Sequence, residues 1–389
     1  MTRIYAEDDA IPHGWQTRQP GLILWAFVSV FRVLFSSFFY AAYYIPTSCR
    51  QSPQWTYSQA LRVRLLKILF GVVTELGFSQ SLSLEAGPIS DQWVILSPAP
   101  DGSYLGGFAR GLVEPDRIGA TWYPAPTPTS AELKDDSLIV LSFHSGSFLW
   151  LDGRPGDSGF VANMVNQKLG AGTRSLWVQY RLSGGKNPVT YPGPMQDAIT
   201  AYHYLVKELE ISPSRIILTG DSSGATIAMA LIRYLASKEI INTDFADLPP
   251  PKACLLFSPS VEYSFEGDSQ AVEEHRNQKT DYCGGPMAAW GARAVAPPDV
   301  VRLDDPYLSP GLHPFETPVP IFAQAGGAEV LCDTVKGFVD RMRSISGNQI
   351  EYLEVPNLPH DIYAIGRPLG WTKEQEEMID SAVKFALKL

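Results

Sequence analysis

Two adjacent hydroxyls stand in Gly220-Asp221-Ser222-Ser223-Gly224, five residues that fit the pattern G-x-S-x-G. A serine there can attack a carbonyl carbon if the backbone turns sharply enough to expose its Oγ. The run Arg215–Thr219 before it is short, apolar and rich in β-formers, and Ala225–Leu235 after it reads as a buried helix. Strand, tight turn and helix would hold Ser222 in a strained conformation at the helix N-terminus. The pattern alone also describes a surface Ser-Gly turn, so its partners decide the reading.

A serine hydroxyl is a poor nucleophile until a histidine takes its proton, and that histidine needs a carboxylate to fix its tautomer. The chain has six histidines. His360 follows the strand-like run Ile350–Val355 and the short loop Pro356–Pro359, and is the expected base. His203 lies in a helical pattern, Gln196–Leu205, and is expected to be structural, whereas His13, His275 and His313 sit in polar or Pro-rich stretches and are expected to be solvated. For the acid, Thr317–Ala325 reads as a late strand followed by Gly326-Gly327-Ala328-Glu329. An open α/β sheet places its chemistry just past the C-terminal ends of its strands, so Glu329 is the first choice. Asp333 is the second, with a solvated or capping carboxylate as its plain alternative, and Asp304 and Asp305 stand behind it.

Upstream, Ser137–Phe143 reads as a buried strand running into His144-Ser145-Gly146-Ser147-Phe148. A loop of small residues can aim successive backbone N–H groups at the oxyanion of a tetrahedral intermediate, with the Ser223 amide as a further donor. The elements that must position these groups alternate strand and helix from Ser137 onward, which implies a mostly parallel sheet with helices on both faces. Further strands are expected at Gln92–Leu96 and Arg117–Tyr123. Between Ser258 and Pro310 the alternation breaks in a stretch rich in Gly, Pro and charge, read as an insertion bordering a substrate pocket. Its Tyr263, Phe265, Tyr282 and Trp290 either line that pocket or pack at the surface. The last helix opens at Thr372 with Gln375 three residues on, a capping-box pattern, and its apolar stripe runs to Leu387.

The segments Phe143–Phe148, Gln179-Tyr180-Arg181-Leu182, Gln196-Asp197-Ala198, Gly220–Gly224, Gly326–Leu331 and Pro359-His360-Asp361 together resemble the hormone-sensitive-lipase-like esterases, α/β-hydrolases, and in particular their fungal branch. The resemblance implies an α/β-hydrolase fold with a helical cap, with Ser222 as nucleophile, Glu329 as acid and His360 as base. It also implies an oxyanion hole made by the amides of Ser145, Gly146 and Ser223. The order Ser, Glu, His along the chain is that of this fold. Two departures bear on substrate class and efficiency: the family's His-Gly-Gly is here His144-Ser145-Gly146, and its Asp-Ser-Ala-Gly-Gly is Asp221-Ser222-Ser223-Gly224-Ala225. The expected activity is hydrolysis of carboxylic esters of small or lipid-like substrates through an acyl-enzyme. Acyl transfer, lactonisation or condensation in fungal secondary metabolism is the alternative on the same site, and an inactive small-molecule-binding module the alternative of another class.

Composition agrees with one large α/β domain carrying insertions: 389 residues, 45% apolar, with 17 Tyr, 18 Phe and 9 Trp for the core. A net charge of −10 without a basic stripe argues against a nucleic-acid partner. Cys49, Cys254, Cys283 and Cys332 fit no zinc spacing, and Gly184-Gly185-Lys186 lacks the spacing of a phosphate loop, so neither metal nor cofactor is implied.

Residues 1–20 read as a polar tail and residues 21–45 as a membrane anchor or apolar cap helix. The run Gly21–Tyr44 is long enough to cross a bilayer, interrupted only by Arg32, whose mid-span cost is roughly 2.5–3.5 kcal/mol. It admits three readings: a spanning anchor, a surface helix, or a cap over the active site. Residues 46–90 read as a linker, Pro46–Pro53, and an amphipathic cap helix over Ser58–Leu76, and residues 91–389 as the catalytic domain with its insertion at about 258–310. Arg50, Arg62, Arg64 and Lys67 after the apolar run favour a cytoplasmic catalytic domain, with the endoplasmic reticulum as one such membrane. The oligomeric state is left open.

Overall fold

The computed structural model describes residues 14–109, 113–133, 136–185, 187–237 and 248–389. His13, most of the expected polar tail and Lys186 lie outside the described residues. Eight strands form one sheet: β1 (Trp93–Leu96), β2 (Ile118–Tyr123), β3 (Ile139–Phe143), β4 (Arg174–Gln179), β5 (Ile216–Asp221), β6 (Ala253–Phe257), β7 (Ile321–Gly326) and β8 (Ile350–Val355), in the spatial order β1-β2-β4-β3-β5-β6-β7-β8. β2 runs antiparallel to β1 and β4, and the remaining pairs are parallel. This is the mostly parallel sheet expected from the strand-helix alternation, in the α/β-hydrolase arrangement that the resemblance implies. Every residue of β3, β5, β6 and β7 is buried, as befits strands covered on both faces. The strand order reverses between β3 and β5, where the loops after two neighbouring parallel strands part and leave a crevice.

The main helices are α1 (Gly21–Tyr43), α2 (Tyr57–Glu75), α3 (Gly159–Leu169), α4 (Gly193–His203), α5 (Ser223–Leu235), α6 (Gly285–Val295), α7 (Cys332–Arg343), α8 (Ile362–Leu369) and α9 (Thr372–Leu387). α5, which carries the serine turn, is buried on every side apart from Arg233. Its apolar sequence leaves it no solvated face, so it packs within the domain behind β5. Behind β4, the buried carboxylate of Asp197 accepts from the amide of Arg181 at 2.8 Å and from its guanidinium at 2.9 Å. Tyr180-Arg181 and Gln196-Asp197 are therefore a structural tie.

Two local expectations are revised. Thr372 is the first residue of α9, not its cap: Trp371 holds that position without a side-chain bond, and buried Gln375 donates to the Tyr363 carbonyl instead. The capping box belongs to α2, where the Thr56 and Gln59 side chains each bond the other's amide. Pro46–Pro53 is not a slack linker. Arg50 bridges the carbonyls of Tyr44 and Trp55 at 3.1 and 3.0 Å, and Ser52 is buried.

α1 is the long apolar helix expected from the sequence, with a mean hydropathy of 2.0 over its most apolar stretch and Ser29 as its one buried residue. It packs along α2, where Arg32 pairs with Glu75, which also accepts from the Trp25 indole at 3.0 Å. Besides Arg50, two of the expected flanking positive charges make packing bonds: Arg64 donates to the Tyr44 hydroxyl and Lys67 to carbonyls of the insertion.

Candidate active site

The turn after β5 is the most constrained backbone of the site. Ser222 sits at φ 50°, ψ −120°, a region that costs a residue with a Cβ roughly 1–3 kcal/mol. Its amide donates to the Phe257 carbonyl at 3.0 Å and its carbonyl accepts from Ser260 at 3.1 Å, so β6 holds the turn in place. A Cβ at Gly224 would overlap the Phe143 carbonyl oxygen, because α5 starts hard against the end of β3. That contact explains the second glycine of the pattern.

Ser222 Oγ lies 2.9 Å from His360 Nε2, and both residues are nearly buried, at 7% and 4% exposure. On the far side of the ring, Nδ1 stands 3.5 Å from Glu329 Oε2, a charge contact longer than a good hydrogen bond; such contacts often tighten when substrate binds. Glu329 is fully buried and its Oε2 also accepts from Ser258 Oγ at 2.7 Å. Ser258 in turn accepts from the Asp361 amide at 3.0 Å, which ties Glu329 to the loop carrying His360. Residues far apart in sequence, 222, 329 and 360, thus meet at the C-terminal edge of the sheet.

Burial alone would push His360 below its ordinary range. Contact with Glu329 and its charge, reinforced by Asp281 and Asp361, outweighs burial and raises the imidazole to about 9. Burial raises the Glu329 carboxyl, while its His360 and Ser258 partners hold it down. Asp221, next to Ser222, and Asp361, next to His360, are both raised by burial, Asp221 further by the charge of Asp361, and Asp361 to about 6.

The loop after β3 lies beside the serine. Gly146 has φ 109°, and a Cβ there would overlap the Trp150 carbonyl, so this position needs its glycine, whereas Ser145 tolerates a side chain. The Tyr180 hydroxyl donates to the carbonyls of His144 and Ser145, which leaves the far side of those peptides to present amides. His144 stacks on the Tyr180 ring at 4.2 Å, and burial lowers it to about 4, which keeps it neutral and structural. Ser223 opens α5, and an amide in the first turn has no intrahelical carbonyl to bond.

The other candidates fall elsewhere. Asp333 accepts from Arg276 at 2.5 Å and His275 at 3.0 Å, and these bonds lower it to about 2 on the protein surface. His275 is thereby corrected from solvated to paired. With Cys332 these residues form the kind of cluster that could hold a metal ion, but Arg276 and Asn277 already donate to Cys332 Sγ. Asp304 pairs with exposed Arg302, and Asp305 accepts from the Tyr307 amide. His313 contacts the Asp304 carbonyl, a correction of its expected solvation, and His203 is half-buried at the end of α4.

A cavity of about 170 Å³ lies between α2 and the insertion, walled by Lys67, Phe70, Tyr282 and Met287. Its lining does not include Ser222, but the Tyr282 ring in its wall stands 5.9 Å from the His360 ring. Of the insertion's aromatics, Tyr282 therefore lines a pocket, Tyr263 and Trp290 pack in the interior, and Phe265 is half-buried. α2 walls this cavity and α1 does not. Sequence reasoning missed Ser258, Asn277, Thr280 and Asp281. For Ser258 the one available signal was its place directly after β6.

Over residues 140–364 the chain matches the alpha/beta hydrolase fold family. It is similar to an acetyl-hydrolase of Streptomyces hygroscopicus, 25% identical over 237 residues, 58% of this chain and 69% of that one. It is also similar to the non-reducing polyketide synthase ascC of Acremonium egyptiacum, 29% identical over 149 residues, 36% of this chain but 6% of that one. A solved structure of an esterase from the bacterial hormone-sensitive lipase (HSL) family shares the fold with a TM-score of 0.56 over 92% of this chain and 97% of that one, at 22% identity.

Proposed function

The chain belongs to the alpha/beta hydrolase fold family, and on that premise we propose that it is a serine carboxylic-ester hydrolase with Ser222 as nucleophile, His360 as base and Glu329 as acid. The 2.9 Å contact of Ser222 Oγ with His360 Nε2 at a strained turn carries the reading. Ser222 Oγ gives its proton to Nε2 and bonds the ester carbonyl carbon. The amides of Ser145, Gly146 and Ser223 take the oxyanion, and Glu329 offsets the charge on the imidazolium. The leaving alkoxide takes the proton from Nε2. Water then repeats the sequence on the acyl-enzyme and releases the acid. A fluorophosphonate probe should label the protein at Ser222 and block hydrolysis of short p-nitrophenyl esters. Absence of labelling in the folded chain would favour the inactive binding module.

Acyl transfer to an alcohol or amine is the second reading. It is favoured by the near burial of Ser222 and His360, which limits water, and by the polyketide synthase similarity. A place in the fungal branch and in secondary metabolism rests on that same similarity, whereas the bacterial relatives support only the broader esterase reading. Product analysis with a competing alcohol separates the two: transfer product in excess of free acid would displace hydrolysis.

The base must be neutral to accept the serine proton, and a raised folded-state pKa keeps it protonated to higher pH. The acidic limb of kcat/KM should therefore lie above the ordinary imidazole range near 6.5 and extend toward about 9. A limb at or below 6.5 would contradict the charge arrangement around His360.

We also assign α1 to a membrane. Phe27, Phe31, Phe35 and Phe38 are each more than half exposed and follow helical spacing on one side. The Arg32–Glu75 pair lies midway along α1 and ties it to the end of α2, which fits a helix lying in the interface better than one crossing the bilayer. Full-length protein should sediment with vesicles and be released by alkaline carbonate. Retention after carbonate would restore the spanning anchor, and a soluble full-length chain would remove both. The domain limits of 21–45, 46–90 and 91–389 follow this division of labour, and the cytoplasmic orientation read from Arg50, Arg62, Arg64 and Lys67 belongs to the spanning alternative.

A further inference from the structure

Residues 275–283 of the insertion run along the loop that carries Glu329 and grip its main chain at four consecutive residues. Asn277 Nδ2 donates to the carbonyls of Gly327 at 3.0 Å and Glu329 at 2.9 Å. Thr280 Oγ1 donates to the Ala328 carbonyl at 2.8 Å. Asp281 Oδ2 accepts from the Val330 amide at 2.7 Å. The Asp281 carboxylate is fully buried and its other oxygen accepts from the Cys283 amide at 3.2 Å. Tyr282 lays its ring against His360, and Lys67 of α2 donates to the carbonyls of Gln278 and Asp281, so the strap joins the cap to the acid loop.

Burying a carboxylate is costly unless hydrogen bonds or opposite charge compensate it. A loop pin alone would not need a charge, since a neutral acceptor serves the Val330 amide as well. Two cations lie near this charge: the Lys67 ammonium, which also bonds the Asp281 carbonyl, and the imidazolium that forms on His360 during turnover. We propose that Asp281 is a positioning residue for the Glu329–His360 pair: it fixes the acid loop through the Val330 amide and stabilises the cationic base from the cap side. The proposal rests on the assignment of His360 as base.

The groups facing His360 come from every side: Glu329 after β7, Asp281 in the strap, Asp361 on its own loop, Asp221 below the serine, Glu266 of the insertion, and the Tyr282 ring. Removing one charge from this set should lower the imidazole pKa because the cation loses a partner. Asp281→Asn keeps the size and one acceptor and removes the charge. In the full chain, NMR titration of His360, assigned by the signal missing in His360→Gln, should show a downward shift of about half a pH unit or more. Turnover of a p-nitrophenyl ester should fall about tenfold with KM nearly unchanged. If Asp281→Asn does not fold, Asp281→Ser, a smaller neutral side chain, carries the same pKa test. An unmoved imidazole pKa in the folded variant overturns the proposal and leaves Asp281 a loop pin. A wild-type chain that neither labels nor hydrolyses esters, yet shows the pKa shift, would sink the esterase reading and leave the electrostatic link standing.

Discussion

Ser222→Ala should abolish fluorophosphonate labelling and cut kcat/KM by roughly five to six orders of magnitude, while stability stays within about 1 kcal/mol. The loss is large because the serine and histidine act as a unit. Without Oγ, His360 Nε2 has no proton to take and no covalent intermediate forms. Stability changes little because the substitution removes one small polar atom and keeps the strained backbone at φ 50°. Ser222→Gly separates the two effects. It should lose labelling equally but gain stability, by about 1 kcal/mol or more, since glycine relieves the backbone strain. If Ser222→Ala still labels, Ser223 is the nucleophile and the registration of the turn is off by one. If Ser222→Gly is not stabilised, the turn is not under strain.

The parts of this site that were legible in the sequence share one property: each hangs from the end of a strand. β3, β5, β7 and the β8 loop announce themselves as short apolar runs, and Ser145, Ser222, Glu329 and His360 follow them within a few residues. Local pattern therefore found both the fold and the constellation. The strap was illegible because its bonds are made by Asn277, Thr280 and Asp281 to carbonyls and an amide about fifty residues downstream. Main-chain partners leave no periodic trace in the side-chain pattern. His275 failed because its partner is a side chain 58 residues away, and a polar stretch looks solvated until Asp333 is folded against it. Thr372 misled differently: the motif was present, but Gln375 was drawn into the core to satisfy the Tyr363 carbonyl. At Pro46–Pro53 the composition suggested a linker, and one guanidinium, that of Arg50, closes it onto the carbonyls of Tyr44, Ile45 and Trp55.

Glu329→Gln should lower kcat by roughly four orders of magnitude without unfolding the protein. The carboxylate is completely buried, so replacing it with a neutral amide of the same shape removes a desolvation penalty as well as a charge. Ser258 Oγ can still donate to the remaining amide oxygen, which keeps the loop tied to Asp361. Catalysis fails for two reasons. The imidazolium loses its nearest anion, 3.5 Å from Nδ1, and an amide N–H can donate to Nδ1 and favour the tautomer that carries its proton on Nε2. A proton on Nε2 is a proton in the way of the serine. The first effect predicts that the His360 titration falls below its raised position near 9, because the charge that overcame burial has gone. The second predicts that labelling of Ser222 slows along with turnover, since attack on the probe uses the same base. Asp333→Asn is the control. Its carboxylate already serves Arg276 and His275 at the surface, so activity should stay within about twofold, the usual range for a surface substitution of little energetic consequence. Large loss in Asp333→Asn with little in Glu329→Gln would move the acid four residues along α7 and break the geometric argument for the site. Equal, large losses in both would instead show that the Arg276–Asp333 contact supports the strap, because Asn277, next to Arg276, is what holds the Glu329 carbonyl in place.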